Sequence, residues 1–356
     1  MERDVSVSRR EFLSLGILSA GASLLKPWNR LRYQTDFPAW ERLGRVTEGA
    51  IRIRQRPDIN SPEIGTLYQD TVVPWLREVV GNNQYRYNQR WVETPDGYIW
   101  SPLLQPVENH PNEPLTTLPS TGLGSGMWVE VSVPYVDLVL INSEPTAPSV
   151  QNAVESGLNY RLYYGQVIWV DQIDVDSNGQ TWYRLNERYG YGDIFWAQAG
   201  AFRPLTAEEI APISPDIADK RVDVNLTRQT VSCFEGNNEV FFCRASTGTV
   251  GTETPPSNWH RIWRKMISSH MSGGTTGGGW DLAGVGWTTL FIGDGIAFHS
   301  TFWHNNYGER MSRGCVNLSQ QDARFIFRWT HPVVGYDPGD VTVSGDTGTL
   351  IRVLEE

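Results

Sequence analysis

From residue 44 onward the chain is built of short β-branched and aromatic runs that alternate with polar residues and stop at Gly, Pro, Asn or Asp. A period of two is the mark of half-buried strands. Ile51-Arg52-Ile53-Arg54 runs into Pro57-Asp58. Trp91-Val92-Glu93-Thr94 passes through Pro95-Asp96-Gly97 to Tyr98-Ile99-Trp100, a hairpin signal with Asp-Gly at its turn, and then Leu104-Gln105-Pro106. A related ending recurs: Trp182-Tyr183-Arg184-Leu185 leads through Gly190-Tyr191-Gly192 to Ile194-Phe195-Trp196 and closes with Phe202-Arg203-Pro204. The shared order predicts two copies of one small β module, residues 44–107 and 126–206, with different loop insertions. The Pro, Thr, Ser and Gly of His110–Gly126 make a linker between them, and Pro212-Ile213-Ser214-Pro215 marks a second junction.

Past that junction, residues 217–354 open with Val222, Val224 and Leu226 alternating with polar residues. A hairpin follows, Val231–Phe234 and Val240–Ala245 about a turn at Glu235–Asn238. Cys233 and Cys243 flank this turn and are either a disulfide across it or two buried thiols. A later segment, Ser319-Gln320-Gln321-Asp322, reads as a capped helix start leading to Ala323, Phe325, Ile326 and Trp329. The fold class is therefore mainly β, two small barrels followed by a sandwich or barrel-like domain with one short helix.

A net charge of -10 argues against a nonspecific nucleic-acid binder, which needs clustered Lys and Arg to neutralise phosphates. Three cysteines make no disulfide framework, and no CxxC or Cys/His spacing of a structural zinc site is present. The N-terminus carries Ser8-Arg9-Arg10-Glu11 before the uncharged run Phe12–Leu25, roughly 21 Å as a helix. That is short of the ~30 Å hydrocarbon core of a bilayer. Residues 1–30 resemble a twin-arginine export signal, with a cleavage site near Ser19–Ala22; the alternative is a buried helix that begins with Arg-Arg. The chain is expected outside the cytoplasm, and at a membrane only if this segment is retained.

The chemistry concentrates between Phe298 and Leu318. Cysteine nucleophiles act as thiolates, so a thiol near its ordinary pKa of ~8.5 needs a base or cation beside it. His299 can accept the proton of Cys315, Arg313 adds fixed positive charge, and Gly314 lets main-chain N–H groups approach an oxyanion. A metal set of His299, His304 and Cys315 is conceivable, but its spacing fits no common zinc pattern. Trp303, His304 and Tyr307 are pocket candidates, and the glycine-rich run from Gly273 to Gly279 would suit a mobile lid or an idle surface loop.

His299 followed by Ser312-Arg313-Gly314-Cys315 resembles the active-site motif of the L,D-transpeptidase catalytic domain, the YkuD domain: a His, a spacer, then Ser/Thr-His-Gly-Cys. Val224-Asn225-Leu226 with Gln229, Ser246-Thr247-Gly248, Thr254-Pro255, Ile262–Met266 and Asp281–Val285 fall in the family's order, so the resemblance covers residues 217–354. It implies Cys315 as nucleophile, His299 as base oriented by the Ser300 carbonyl, Ser312 as support, and the Gly314 and Cys315 amides as oxyanion donors. Arg313 stands where the family has a second His and is carried as a substrate-binding candidate. The two β modules resemble bacterial SH3-like domains, whose aromatic residues either contact glycan or fill small cores. The implied activity is a cell-wall L,D-transpeptidase that joins peptidoglycan stem peptides, a tetrapeptide donor and a diamino-acid acceptor, into 3→3 cross-links without metal or organic cofactor. Carbapenem-type β-lactams are expected to inactivate it. An L,D-carboxypeptidase and a non-catalytic wall-binding protein are the alternatives.

Overall fold

Alternation along the backbone becomes a set of mostly antiparallel sheets in the computed structural model, which describes residues 37–122, 124–273, 280–293 and 295–355. The proposed signal, residues 1–30, and residues 274–279 of the glycine-rich run lie outside those described. Among the described residues no helix is long and apolar enough to cross a membrane.

In the first β module, strand Leu43–Val46 pairs with Val72–Pro74 on one side and with the last strand, Leu104–Val107, on the other. A five-stranded sheet completes it, and Val46, Ile51, Ile53, Trp75, Val92, Ile99 and Leu104 fill the small core. The second module repeats the closing connection. In both, an antiparallel hairpin (Arg90–Thr94 with Gly97–Trp100; Thr181–Asn186 with Ile194–Gln198) leads into a three-residue 3-10 turn and a strand that returns to the module's first strand. The recurring tryptophans fall on these hairpins, and Trp91, Trp182 and Trp196 are buried. The second module also carries the helix α1, Pro148–Glu155.

The C-terminal part is a sandwich of two five-stranded sheets. Numbering from Lys220–Asn225 (β1), the strands are Thr230–Glu235 (β2), Asn238–Arg244 (β3), Ser257–Arg261 (β4), Arg264–Gly273 (β5), Trp280–Ile292 (β6), Ile296–Ser300 (β7), Val316–Leu318 (β8), Asp340–Thr342 (β9) and Leu350–Leu354 (β10). One sheet has the order β3-β2-β1-β10-β4 and the other β8-β7-β6-β5-β9. Val222, Val224, Val231, Ile351 and Val353 face Ile267, Trp287, Phe291, Phe298, Val316 and Leu318 across one core, which continues into Trp128, Val167 and Trp169 of the second module. Cys233 stands opposite Phe241 and Cys243 opposite Val231, so the two cysteines are diagonal rather than cross-strand partners. Both are free, buried thiols, and burial pushes both pKa values up.

Directly after β8, Ser319 caps helix α2 (Gln320–Trp329) by accepting the Asp322 N–H, as its sequence suggests. Ala323, Ile326, Phe327 and Trp329 enter the core, whereas Phe325 stacks on Phe241 at 4.0 Å. Two lysines satisfy the carbonyls at the helix's far end. Lys220 Nζ donates to the Trp329 and Ile213 carbonyls, and the buried Lys265 Nζ donates to those of Thr330 (2.8 Å) and Pro332 (2.7 Å). Positive charge is favourable at this end of the helix dipole. Burial pulls the Lys265 pKa well down, so its role is that of a donor; Lys265→Ala, which strands two carbonyls, is expected to cost about 1–3 kcal/mol and to lower the midpoint of the first thermal unfolding transition. An unchanged midpoint would show that this cap contributes nothing.

Candidate active site

Strands β7 and β8 are neighbours in a parallel pair, with Phe298 beside Val316, His299 beside Asn317 and Ser300 beside Leu318. Phe298, Val316 and Leu318 point into the core between the sheets. Because side chains alternate along a strand, His299 and Asn317 are sent to the other face, and Cys315 lies in the bend just before β8. The loop between the strands thus returns Cys315 to the start of β8, next to the strand that carries His299.

His299 is buried, and its Nδ1–H donates to the Ser300 carbonyl at 2.9 Å. That bond leaves Nε2 as the acceptor nitrogen. Burial pulls the imidazole pKa down to about 4, with the Ser300 carbonyl opposing it, so the ring is neutral at neutral pH. Cys315 is partly exposed, and its thiol points at the Gly295 carbonyl 3.5 Å away. Desolvation pushes its pKa up to about 11 against the favourable Ala297 N–H. Both shifts favour a thiol and a neutral imidazole over a thiolate and an imidazolium.

Ser312 braces the turn that carries the sulfur. Its hydroxyl donates to the Cys315 carbonyl and accepts the Gly314 N–H at 3.1 Å, a short Ser-turn that fits the positive φ of 114° at Gly314. The Gly314 amide, expected as an oxyanion donor, is thus committed to Ser312 in this structure. Thr254 Oγ1 donates to the Gly314 carbonyl at 2.7 Å and accepts the Gly248 N–H, tying the turn to the loop after β3. Sequence reading noted Thr254 and Thr247 only as parts of a motif order, and missed Asn317. Position alone could have found the latter, two residues after Cys315.

Of the pocket candidates, only Trp303 lies against the base, its ring centroid 5.6 Å from that of His299. His304 Nδ1 accepts the Asn306 N–H, so Nε2 carries the proton and the Asn317 amide 2.9 Å away must accept it through oxygen. With both nitrogens engaged inside the protein, His304 has no lone pair left for a metal. Among the described residues no group of three His, Cys, Asp or Glu is placed to hold one. Tyr307 is tied to the Leu318 carbonyl through its hydroxyl. Arg313 is exposed, and its guanidinium lies 4.5 Å over the ring of Trp280 at the start of β6.

The loop that joins His299 to Cys315 is held by the first β module. The buried Arg45 donates to the Phe302 carbonyl at 2.7 Å, pairs with Asp70 and stacks over Tyr163 of the second module. Pro102 and Ser101 bond Asn305, while Asn88 bonds Asn306 and Glu309. A cleft of about 680 Å³ opens between the first module, this loop and the start of α2. Its walls include Trp40, Arg42, Gln105, Tyr164, Ser300 and Gln320 but neither His299 nor Cys315.

Residues 219–353 match the family model described as the L,D-transpeptidase catalytic domain (YkuD). Solved structures similar to the chain include a mutant L,D-transpeptidase of Enterococcus faecium, at 20% identity, TM-score 0.31, with 39% of this chain and 50% of that one covered. The match therefore spans half of that enterococcal protein. An L,D-transpeptidase from Mycobacterium smegmatis is 18% identical over 51% of this chain and 81% of that one, with TM-score 0.31. L,D-transpeptidase 3 from Mycobacterium tuberculosis is 16% identical over 69% of this chain and 98% of that one, TM-score 0.31. No curated protein matches.

A neutral resting pair has a kinetic signature. The alkylation rate of Cys315 by iodoacetamide should rise about tenfold per pH unit from pH 7 to 9, as the thiolate fraction of a group with raised pKa grows. A plateau in that range would reveal a preformed thiolate–imidazolium pair.

Proposed function

We propose that the protein is an exported peptidoglycan L,D-transpeptidase with Cys315 as nucleophile and His299 as base. The observation that supports this is the β7–β8 pairing, with a tautomer-fixed His299 on β7 and Cys315 directly before β8, in a region that matches that family's model. The donor is a tetrapeptide stem. As Cys315 Sγ bonds to the carbonyl carbon of its third residue, His299 Nε2 takes the thiol proton. Collapse of the tetrahedral adduct breaks the C–N bond, and the same proton goes to the nitrogen of the departing D-alanine. The side-chain amine of a diamino acid on a neighbouring stem then attacks the thioester and gives its proton to Nε2. The thiolate leaves and is reprotonated, closing a 3→3 cross-link.

Ser312 and Thr254 hold the turn on which Gly314 and Cys315 sit. Once a substrate oxygen enters, the Gly314 N–H can exchange Ser312 for the oxyanion, since both lie at the same turn. Arg313 stacked on Trp280 forms one wall beside the sulfur, in the place of the family's second His. The two β modules are read as SH3-like domains, with the glycan as their candidate contact, and residues 1–30 as a twin-arginine signal that places the enzyme in the cell wall.

Purified protein incubated with disaccharide-tetrapeptides should yield cross-linked dimers by mass spectrometry, and a Cys315→Ala control should yield none. Tripeptide in place of dimers, with a competent acceptor present, would assign the site to an L,D-carboxypeptidase in which water replaces the amine. No turnover, with binding to isolated walls retained, would make the chain a wall-binding protein.

A further inference from the structure

A second buried ionic cluster lies where the second β module meets the catalytic domain. His270 on β5 is buried between Glu187, which follows the Thr181–Asn186 strand of the module, and Asp281 on β6. Its Nδ1–H donates to Glu187 at 2.7 Å and its Nε2–H to Asp281. Only the charged imidazolium donates from both nitrogens. Burial opposes that charge, but the two carboxylates outweigh it and lift the pKa to about 9. Each carboxylate takes one more bond: Asp281 accepts the Ser149 N–H of α1 at 2.8 Å, and Glu187 accepts the Gly284 N–H at 3.2 Å. The Tyr191 ring stands edge-on to His270, and its hydroxyl donates to Ser272.

The strand pair is shaped to receive this contact. Ser269 pairs with Val285 and Met271 with Leu282, so Ala283 and Gly284 together stand opposite His270, a β-bulge with Gly284 at φ +62°. Three steps lead from the cluster to the nucleophile. Asp281 is followed back along β6 by Trp280, which pairs with Gly273. The Trp280 ring lies across the bare Cα of Gly273, where a Cβ would stand 2.5 Å from the ring. On Trp280 rests Arg313, two residues before Cys315.

We infer that Glu187, acting through His270 and Asp281, is a positioning residue for the site: it pins the end of the β5–β6 pair to the second β module and so holds Trp280 under Arg313, forming the wall beside Cys315. The inference rests on reading Cys315 as the nucleophile. It gives the second module a part in the reaction besides any glycan contact. Removing Glu187 leaves the His270–Asp281 pair charge-balanced, so Glu187→Ala breaks the inter-module contact without burying a lone charge.

The test uses the full chain carrying Glu187→Ala or Glu187→Gln, with three readouts. Amide hydrogen exchange in residues 268–273 and 280–286 should speed up at least tenfold in Glu187→Ala, with β1 and β2 unchanged. KM for the disaccharide-tetrapeptide should rise about fivefold while kcat changes less than twofold, and the Cys315 alkylation rate should shift at least threefold. Glu187→Gln, which keeps the bond to Gly284, should fall between. Faster exchange with unchanged KM and alkylation would overturn the inference, as would unchanged exchange or a uniform loss of protection through β1 and β2. If the wild-type protein turns over no tetrapeptide, the transpeptidase reading falls by itself, and exchange with alkylation still decides this one.

Discussion

The parallel pairing of β7 with β8 governs the site, because parallel neighbours cannot be joined by a tight turn and need a long connection. Here that connection is the segment from Thr301 to Cys315, and its register sets which face each side chain takes. A slip of one residue would turn Asn317 into the apolar core and Val316 out of it. The core residues Phe298, Val316 and Leu318 oppose that slip, so hydrophobic packing on one face fixes His299 and Asn317 on the other. Helix α2 follows β8 at once and seals the same core, and Lys220 and Lys265 fasten its far end.

Long connections lose order unless something else holds them. Arg45 reaches the Phe302 carbonyl from the first module, and Asn88, Ser101 and Pro102 hold Asn305, Asn306 and Glu309. From the second module, Glu187 meets His270 near the start of β6. Buried charges at such joints are costly unless fully paired, and here each has hydrogen-bonded partners on more than one element. The β modules are therefore parts of the structure that holds the loop leading to Cys315.

Period-two patterning made the β class readable, because half-buried strands leave that alternation in any sequence. Ser319 as a helix cap was readable for the same local reason. His299 and Cys315 were singled out by a motif, and the Ser300 contact that the structure shows follows from adjacency in the chain. What was not readable depends on register and distant contacts. The diagonal placement of Cys233 and Cys243 turns on one β-bulge between Cys233 and Phe234. The capture of the Gly314 amide by Ser312 needs the local backbone angles. Arg45, Glu187 and His270 are ordinary charged residues in sequence, and only the docking of three units makes them buried. His304, the other histidine of the motif region, is used by Asn306 and Asn317, which spacing could not reveal.

The most direct test of the account is peptide mapping of a trapped acyl-enzyme. Protein mixed briefly with a carbapenem, then acid-quenched and digested, should carry the adduct on the peptide that contains Cys315, and His299→Ala should form it far more slowly. A label on Cys233 or Cys243, or equal rates with and without His299, would contradict the pairing on which the account rests.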